Sequence, residues 1–274
     1  MGAVYRALRS VGCVADRLRS RWQRRADPSR SLAVPEQPDA SLGRRMTDIA
    51  ANFAEVQQRI AAGCVAAGRS LDSVALLAVS KYSPADAVRT ALATGHLAFG
   101  ESRVQDLIGK ANELQAESQL QWHLIGSLQT NKVRDLLQVP NLTLVHSVDR
   151  DKLADQLQRE LVVAGKKLNV LLQVNATGEE SKHGCRPETL SELLDHVQTN
   201  CTALHVQGLM AMGPLHGTAR PVFDRVVALR DNQRQRSGLA LDTLSIGMSG
   251  DLEDAIAAGS TMVRVGTSLF GDRS

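Results

Sequence analysis

Aromatic residues make up only 3% of this chain, while Leu, Val, Ile, Ala and the other apolar residues bring the hydrophobic share to 43%. A core without rings must be built from aliphatic side chains, which suits a parallel sheet covered by helices on its outer faces. No apolar run is long enough to cross a bilayer, so a membrane protein of the helical kind is excluded. The four cysteines, Cys13, Cys64, Cys185 and Cys201, form no C-x-x-C pair and no metal-ligand spacing with histidine. Scattered thiols argue against a disulfide framework, fit a reducing compartment and suggest no metal site. Internal repeats are missing. So is any strong excess of charge: the net value is +3 over 274 residues.

What charge there is lies at one end. Residues 1–45 contain ten Arg, no Lys and only Asp16, Asp27, Glu36 and Asp39 as acids, a local balance of +6 that leaves −3 for the rest. A mildly acidic body offers no footprint for nucleic acid. The leader interleaves Arg with Val, Leu, Ala and Trp22 and then meets Pro28, Pro35 and Pro38. It resembles an organellar transit peptide, although Asp16 and Asp27 oppose that reading. We expect residues 1–45 to be a disordered leader or an extension upstream of a true start at Met46, residues 46–274 to form one domain, and the protein to be cytoplasmic.

From Thr47 the pattern becomes regular. Ile49, Phe53, Val56, Ile60 and Val65 recur at helical spacing and predict an amphipathic helix over 47–67. Short apolar runs then appear at 74–80, 96–100, 121–126, 142–147, 168–175, 203–212, 243–248 and 261–266. Helical stretches separate them, with a short helix at 129–137 the weakest. Pro84 and Pro187 suit first helical turns, and Gly95, Gly165 and Gly259 suit C-caps. Eight strands alternating with helices predict an α/β fold, a single (β/α)8 TIM barrel. Little chain follows Gly266, so the helix at 47–67 is expected to take the outer position of a missing eighth helix.

Ligand sites of such barrels lie at the C-terminal ends of the strands. The first strand ends in Ser80-Lys81. An ammonium is costly to desolvate there, whereas a neutral amine is a nucleophile for aldehydes; a lysine at a strand end can equally snorkel to solvent. The last two strands end in Gly247-Met248-Ser249-Gly250 and Gly266-Thr267-Ser268, which offer backbone N–H groups and hydroxyls where barrels bind phosphate. Arg264 sits two residues before Gly266 and so shares its face of the strand. An amine, a phosphate cradle and a cation between them suggest a phosphorylated aldehyde, and pyridoxal 5′-phosphate (PLP) fits.

Specific segments carry a resemblance from about Leu76 to Gly271. They are Ala78-Val79-Ser80-Lys81, Phe99-Gly100-Glu101, Trp122-His123-Leu124-Ile125-Gly126, His146-Ser147-Val148-Asp149, Val174-Asn175, Gly208-Leu209-Met210, Gly247-Met248-Ser249 and Val263-Arg264-x-Gly266. The body resembles the YggS/PROSC family of PLP homeostasis proteins and, more distantly, the N-terminal barrel of alanine racemase. The resemblance implies a Schiff base between PLP and Lys81, and phosphate contacts from Ser249, Gly266 and Thr267. It also implies Arg264 near the pyridine nitrogen, with Asn175 and Met210 near the ring. One departure stands out: Ser102-Arg103 follows Glu101 where the family usually has Asn-Tyr.

Racemisation of an amino acid needs a second base on the opposite face of the cofactor. Only Tyr5 and Tyr82 are tyrosines, and Tyr82 follows Lys81 directly. His123, His146 and His183 could substitute, each being also an ordinary structural histidine. We therefore expect no catalytic residues. The expected protein is a PLP carrier that takes part in intracellular PLP homeostasis, monomeric, with PLP-dependent apoenzymes as acceptors. The alternatives are a weak PLP-dependent amino-acid racemase and a Schiff-base aldolase without PLP.

Overall fold

The computed structural model describes residues 40–179 and 181–271. The expectation of a leader over 1–45 therefore lies, up to residue 39, outside the described residues. Eight parallel strands close into a barrel in sequence order: β1 (Ala75–Val79), β2 (Ala98–Glu101), β3 (Gln121–Leu124), β4 (Leu142–Val148), β5 (Leu168–Gln173), β6 (Leu204–Met210), β7 (Thr243–Ser245) and β8 (Met262–Val265). Closure is made by β1 on β8, from Ala75 opposite Met262 to Ala78 opposite Val265. Each strand lies on one of the apolar runs, with β2 and β4 running one residue past theirs, to Glu101 and Val148, and the expected barrel is present.

The helices are α1 (Ala40–Ala66), α2 (Ala85–Leu92), α3 (Val104–Glu113), α4 (Val133–Leu136), α5 (Asp151–Ala164), α6 (Leu190–Asn200), α7 (Arg220–Ser237), α8 (Leu252–Ala258) and α9 (Thr267–Phe270). The longer helices lay an apolar stripe on the sheet; that of α6 is Leu190, Leu193, Leu194 and Val197. Gly165 and Gly259 end α5 and α8 in the left-handed conformation, as expected of C-caps.

Two expectations about α1 need correction. It begins at Ala40, seven residues before the apolar pattern does. Its buried face is Ile49, Phe53, Val56, Ile60 and Cys64, whereas Val65 is 70% exposed. Four residues past Ile60, not five, return to the same face of a helix. As expected, α1 stands in for a full eighth barrel helix. Gly63 lies against Ile256 of α8, Asn52 donates to the Leu269 carbonyl of α9 at 3.0 Å, and Phe53 meets the rings of Phe270 and His96. The single turn of α9 is too short to cover that side alone.

Candidate functional site

Lys81 lies just beyond β1, within a tight turn. The Ser83 N–H donates to the Ser80 carbonyl at 3.0 Å, and Tyr82 takes a φ of 69°. A positive φ at the third position is the pattern of a type II turn, normally a glycine's place, so a tyrosine there is strained. The strand is shorter than its apolar run, and burial stops at Ser80. Lys81 is exposed at the mouth of the barrel, with its Nζ 5.9 Å from the centre of the Tyr82 ring.

The residue beneath it is held tightly. Ser80 is fully buried; its Oγ donates to Glu101 Oε1 at 2.6 Å, and its carbonyl accepts from Lys110 Nζ at 2.6 Å. Lys110 also pairs with Glu101 Oε1 at 2.5 Å. Glu101 is fully buried, and its Oε2 has no hydrogen-bond partner among the described residues. Lys110 did not figure in the sequence reading. The signal was there, since it stands three residues after Leu107 and beside Ala111 on the buried face of α3.

The loops after β7 and β8 meet as expected. Ser249 Oγ and Thr267 Oγ1 are 3.3 Å apart. A Cβ at Gly266 would stand 3.2 Å from the Val79 carbonyl oxygen, so glycine lets this loop lie against the end of β1, two residues from Lys81. Gly247, with φ 94°, is also obligatory, because a Cβ there would press on Ala255 at 2.4 Å. The Met248 N–H donates to Asp251 Oδ1 at 2.5 Å, which shapes the entry to α8. From outside, Arg59 of α1 donates to the Ser249 carbonyl at 3.1 Å and pairs with Glu253.

Arg264 is buried inside the barrel. Its Nη1 donates to the Ser245 carbonyl at 2.6 Å and to Ser245 Oγ at 2.8 Å, and its Nη2 to the Ala211 carbonyl at 2.9 Å. Burial pulls its pKa down to about 10, against a smaller opposing pull from Asp251. Met210 is 2% exposed and packs with Leu144, Leu171 and Met262 in a small cluster apart from the main core. It can offer a ligand only apolar contact.

Asn175 is committed to its own loop. Its Nδ2 donates to the carbonyls of Glu179 and Lys182, and its Oδ1 accepts from Thr177 and Gly178. It shapes the β5 end of the mouth, where Lys182 also reaches the Gly213 carbonyl after β6.

Of the histidines offered as a second base, His123 and His146 are hydrogen-bonded to each other in the barrel interior at 3.0 Å, and His183 is exposed. Burial, then the charge of His96, pushes the pKa of His123 down to about 4. Burial, then His123 and Arg264, holds His146 well below the ordinary histidine range. Far from the mouth in sequence, Asp155, His196 and Cys201 bring potential metal-ligand atoms within 4.8 Å of one another. The linear spacing gave no sign of this group, because it is assembled between α5 and the end of α6. Its His196–Asp155 hydrogen bond of 2.7 Å satisfies both side chains without an ion.

The mouth thus joins an accessible amine, a hydroxyl pair on glycine loops and a buried cation at the ends of β1, β7 and β8. That set suits a small aldehyde that also carries an anionic group. The family model for the alanine racemase N-terminal domain matches residues 47–274. The pyridoxal phosphate homeostasis protein of Pseudomonas aeruginosa is 45% identical over 83% of this chain and 97% of its own length. The mouse protein of the same name is 36% identical over 88% and 85%. The chain belongs to the pyridoxal phosphate homeostasis protein family. Among solved structures, PipY of Synechococcus elongatus with PLP bound superposes with a TM-score of 0.71 at 35% identity, covering 81% of this chain and all of PipY. Alanine racemase of Corynebacterium glutamicum shares the fold, with a TM-score of 0.60 at 14% identity over 82% of this chain and 60% of its own.

Proposed function

We propose that this protein binds PLP reversibly through a Schiff base to Lys81 and takes part in intracellular PLP homeostasis without robust catalysis of its own. The observation that carries the reading is the exposed Lys81 amine beside the Gly266 loop, with Ser249 and Thr267 facing each other across the same rim. When bound, PLP supplies an aldehyde for the amine, a phosphate for the loops and a ring nitrogen. Ser249, Thr267 and the backbone at Gly266 would hold the phosphate. Arg264 would meet the ring nitrogen, and as a fixed cation it would disfavour protonation there, weakening the ring as an electron sink. Met210 would give an apolar contact, and Asn175 would set the shape of the neighbouring loop.

Racemisation would need a second base poised opposite Lys81. His123 and His146 are sealed in the barrel interior, and Tyr82 stacks on the same side chain as the first base. A weak amino-acid racemase is therefore the lesser reading. Exposure of the lysine favours exchange, with PLP-dependent apoenzymes as acceptors and a cytoplasmic monomer as the working form. Among the described residues no helix is long and apolar enough to cross a membrane.

Borohydride reduction of the PLP-loaded full chain should add one cofactor mass on Lys81, and Lys81→Ala should abolish it. Reduction onto another lysine would overturn the assignment. Lys81-dependent exchange of the α-proton of L-alanine with solvent deuterium, at rates typical of an enzyme, would overturn the carrier reading.

A further inference from the structure

Behind Arg264 lies a line of buried polar groups that the binding reading leaves unused. Ser245 Oγ accepts from Arg264 Nη1 at 2.8 Å and lies 3.1 Å from His146 Nδ1. His146 Nε2 in turn lies 3.0 Å from His123 Nδ1. Ser245 and His146 are wholly buried and His123 is 3% exposed.

The direction of these bonds follows from what each group can do. A guanidinium only donates, so Ser245 Oγ is the acceptor in its contact with Arg264. The serine proton then needs an acceptor of its own. Among the described residues the other hydrogen-bond partner of that oxygen is His146 Nδ1. His146 Nδ1 therefore accepts, the proton of the neutral ring sits on Nε2, and it is donated to His123 Nδ1. His123 must then carry its proton on Nε2. The reverse order would leave a serine O–H without an acceptor in a dry interior. A doubly protonated His146 would set a second cation close to Arg264.

We propose that Ser245, His146 and His123 are positioning residues, a one-way chain of donors that locks the Arg264 guanidinium in a single orientation towards its ligand. Three hydrogen bonds to Ser245 and Ala211 fix the plane of the group and leave the Nε proton and the second Nη2 proton for a ligand. A guanidinium held in this way cannot turn to follow water, so it presents one donor face to an acceptor nitrogen or oxygen. This step rests on the reading of Arg264 as the partner of the cofactor ring.

The test uses the full chain, without ligand and loaded with PLP, in long-range proton–nitrogen correlation spectra at neutral pH. Both His146 and His123 should appear as the Nε2–H tautomer in the ligand-free protein. Ser245→Ala should abolish the fixed tautomer of His146 and weaken PLP binding about tenfold, the scale of one lost hydrogen bond. Ser245→Thr, which keeps the hydroxyl, should restore both. His146 protonated on Nδ1 in the unaltered protein would overturn the chain, and this readout stands even if Ser245→Ala fails to fold. Unchanged PLP affinity in a folded Ser245→Ala would overturn the positioning role. Failure of the unaltered protein to take up PLP would instead overturn the carrier reading, so the two failures are distinguishable.

Discussion

Two adjoining parts of the barrel mouth are built on opposite terms. At the end of β1 the functional group is exposed, on a strained turn, beside the ring of Tyr82. At the ends of β7 and β8 the functional groups are backed by buried hydrogen bonds, a glycine-lined loop and a helix tied on from outside. The exposed side can react and let go. The fixed side can recognise. An enzyme has to fix both, since proton transfer requires the reacting atom to be held between its acid and its base. A carrier gains from leaving one side loose.

The sharpest way to break this contrast is to attack the one rigid feature on the β1 side. Glu101 and Lys110 clamp Ser80, directly beneath Lys81. Lys110→Met would leave the Glu101 carboxylate buried without its cation, and removing one partner of a buried pair costs about 3–5 kcal/mol. Urea unfolding should show a loss of that size, while the double variant Lys110→Met, Glu101→Gln should recover much of it. A loss below about 1 kcal/mol would mean that the floor under Lys81 is as loose as Lys81 itself.

A smaller effect is expected from acid on the buried histidine pair behind Arg264. His123 has a folded pKa of about 4, against an ordinary value of 6.5. The unfolded chain therefore binds more protons than the folded one between these values, and stability falls as pH drops from about 6.5 towards 4. The linkage is worth on the order of 3 kcal/mol if His123 acts alone. The charge of His96 weighs on His123, and that of Arg264 on His146, so a proton on either histidine would meet further positive charge. Thermal unfolding at pH 7 and pH 4.5 should show the loss, and it should shrink in His123→Phe. Equal melting at both pH values would contradict a dry histidine pair.

These differences also mark what the sequence could and could not reveal. The eight apolar runs announced the barrel because a buried parallel strand must be continuously apolar. Lys81, Ser249, Arg264, Gly266 and Thr267 could be placed towards the barrel mouth because strand ends in a barrel are fixed by chain order. The clamp on Ser80 was readable from the helical position of Lys110, but nothing in the linear pattern says that a lysine on a buried face has found a glutamate. The histidine chain was out of reach, since His123, His146, Ser245 and Arg264 come from four strands and meet only when the barrel closes. The start of α1 was misjudged because apolar spacing does not mark where a helix begins.

The smallest expected effect tests how the fixed side is fixed. Arg59 sends one nitrogen to the Ser249 carbonyl and pairs with Glu253, at side-chain exposures of 31% and 56%. An ion pair in that position is worth about 0.2–1 kcal/mol, so Arg59→Ala should barely move global unfolding. The loop should respond more than the fold does. With its outer tether gone, Ser249 keeps, among the described residues, its contact with Thr267 and the turn set by Asp251. Hydrogen exchange at residues 248–250 should quicken, and PLP should dissociate about two- to fivefold faster, a change that corresponds to roughly 0.4–1 kcal/mol. Lys81 sits across the β1–β8 seam from this loop and should react with pyridoxal, which lacks the phosphate, at an unchanged rate. If that rate falls with Arg59→Ala, the two sides are mechanically coupled through the β1–β8 seam, and the division between a reacting side and a holding side would have to be abandoned.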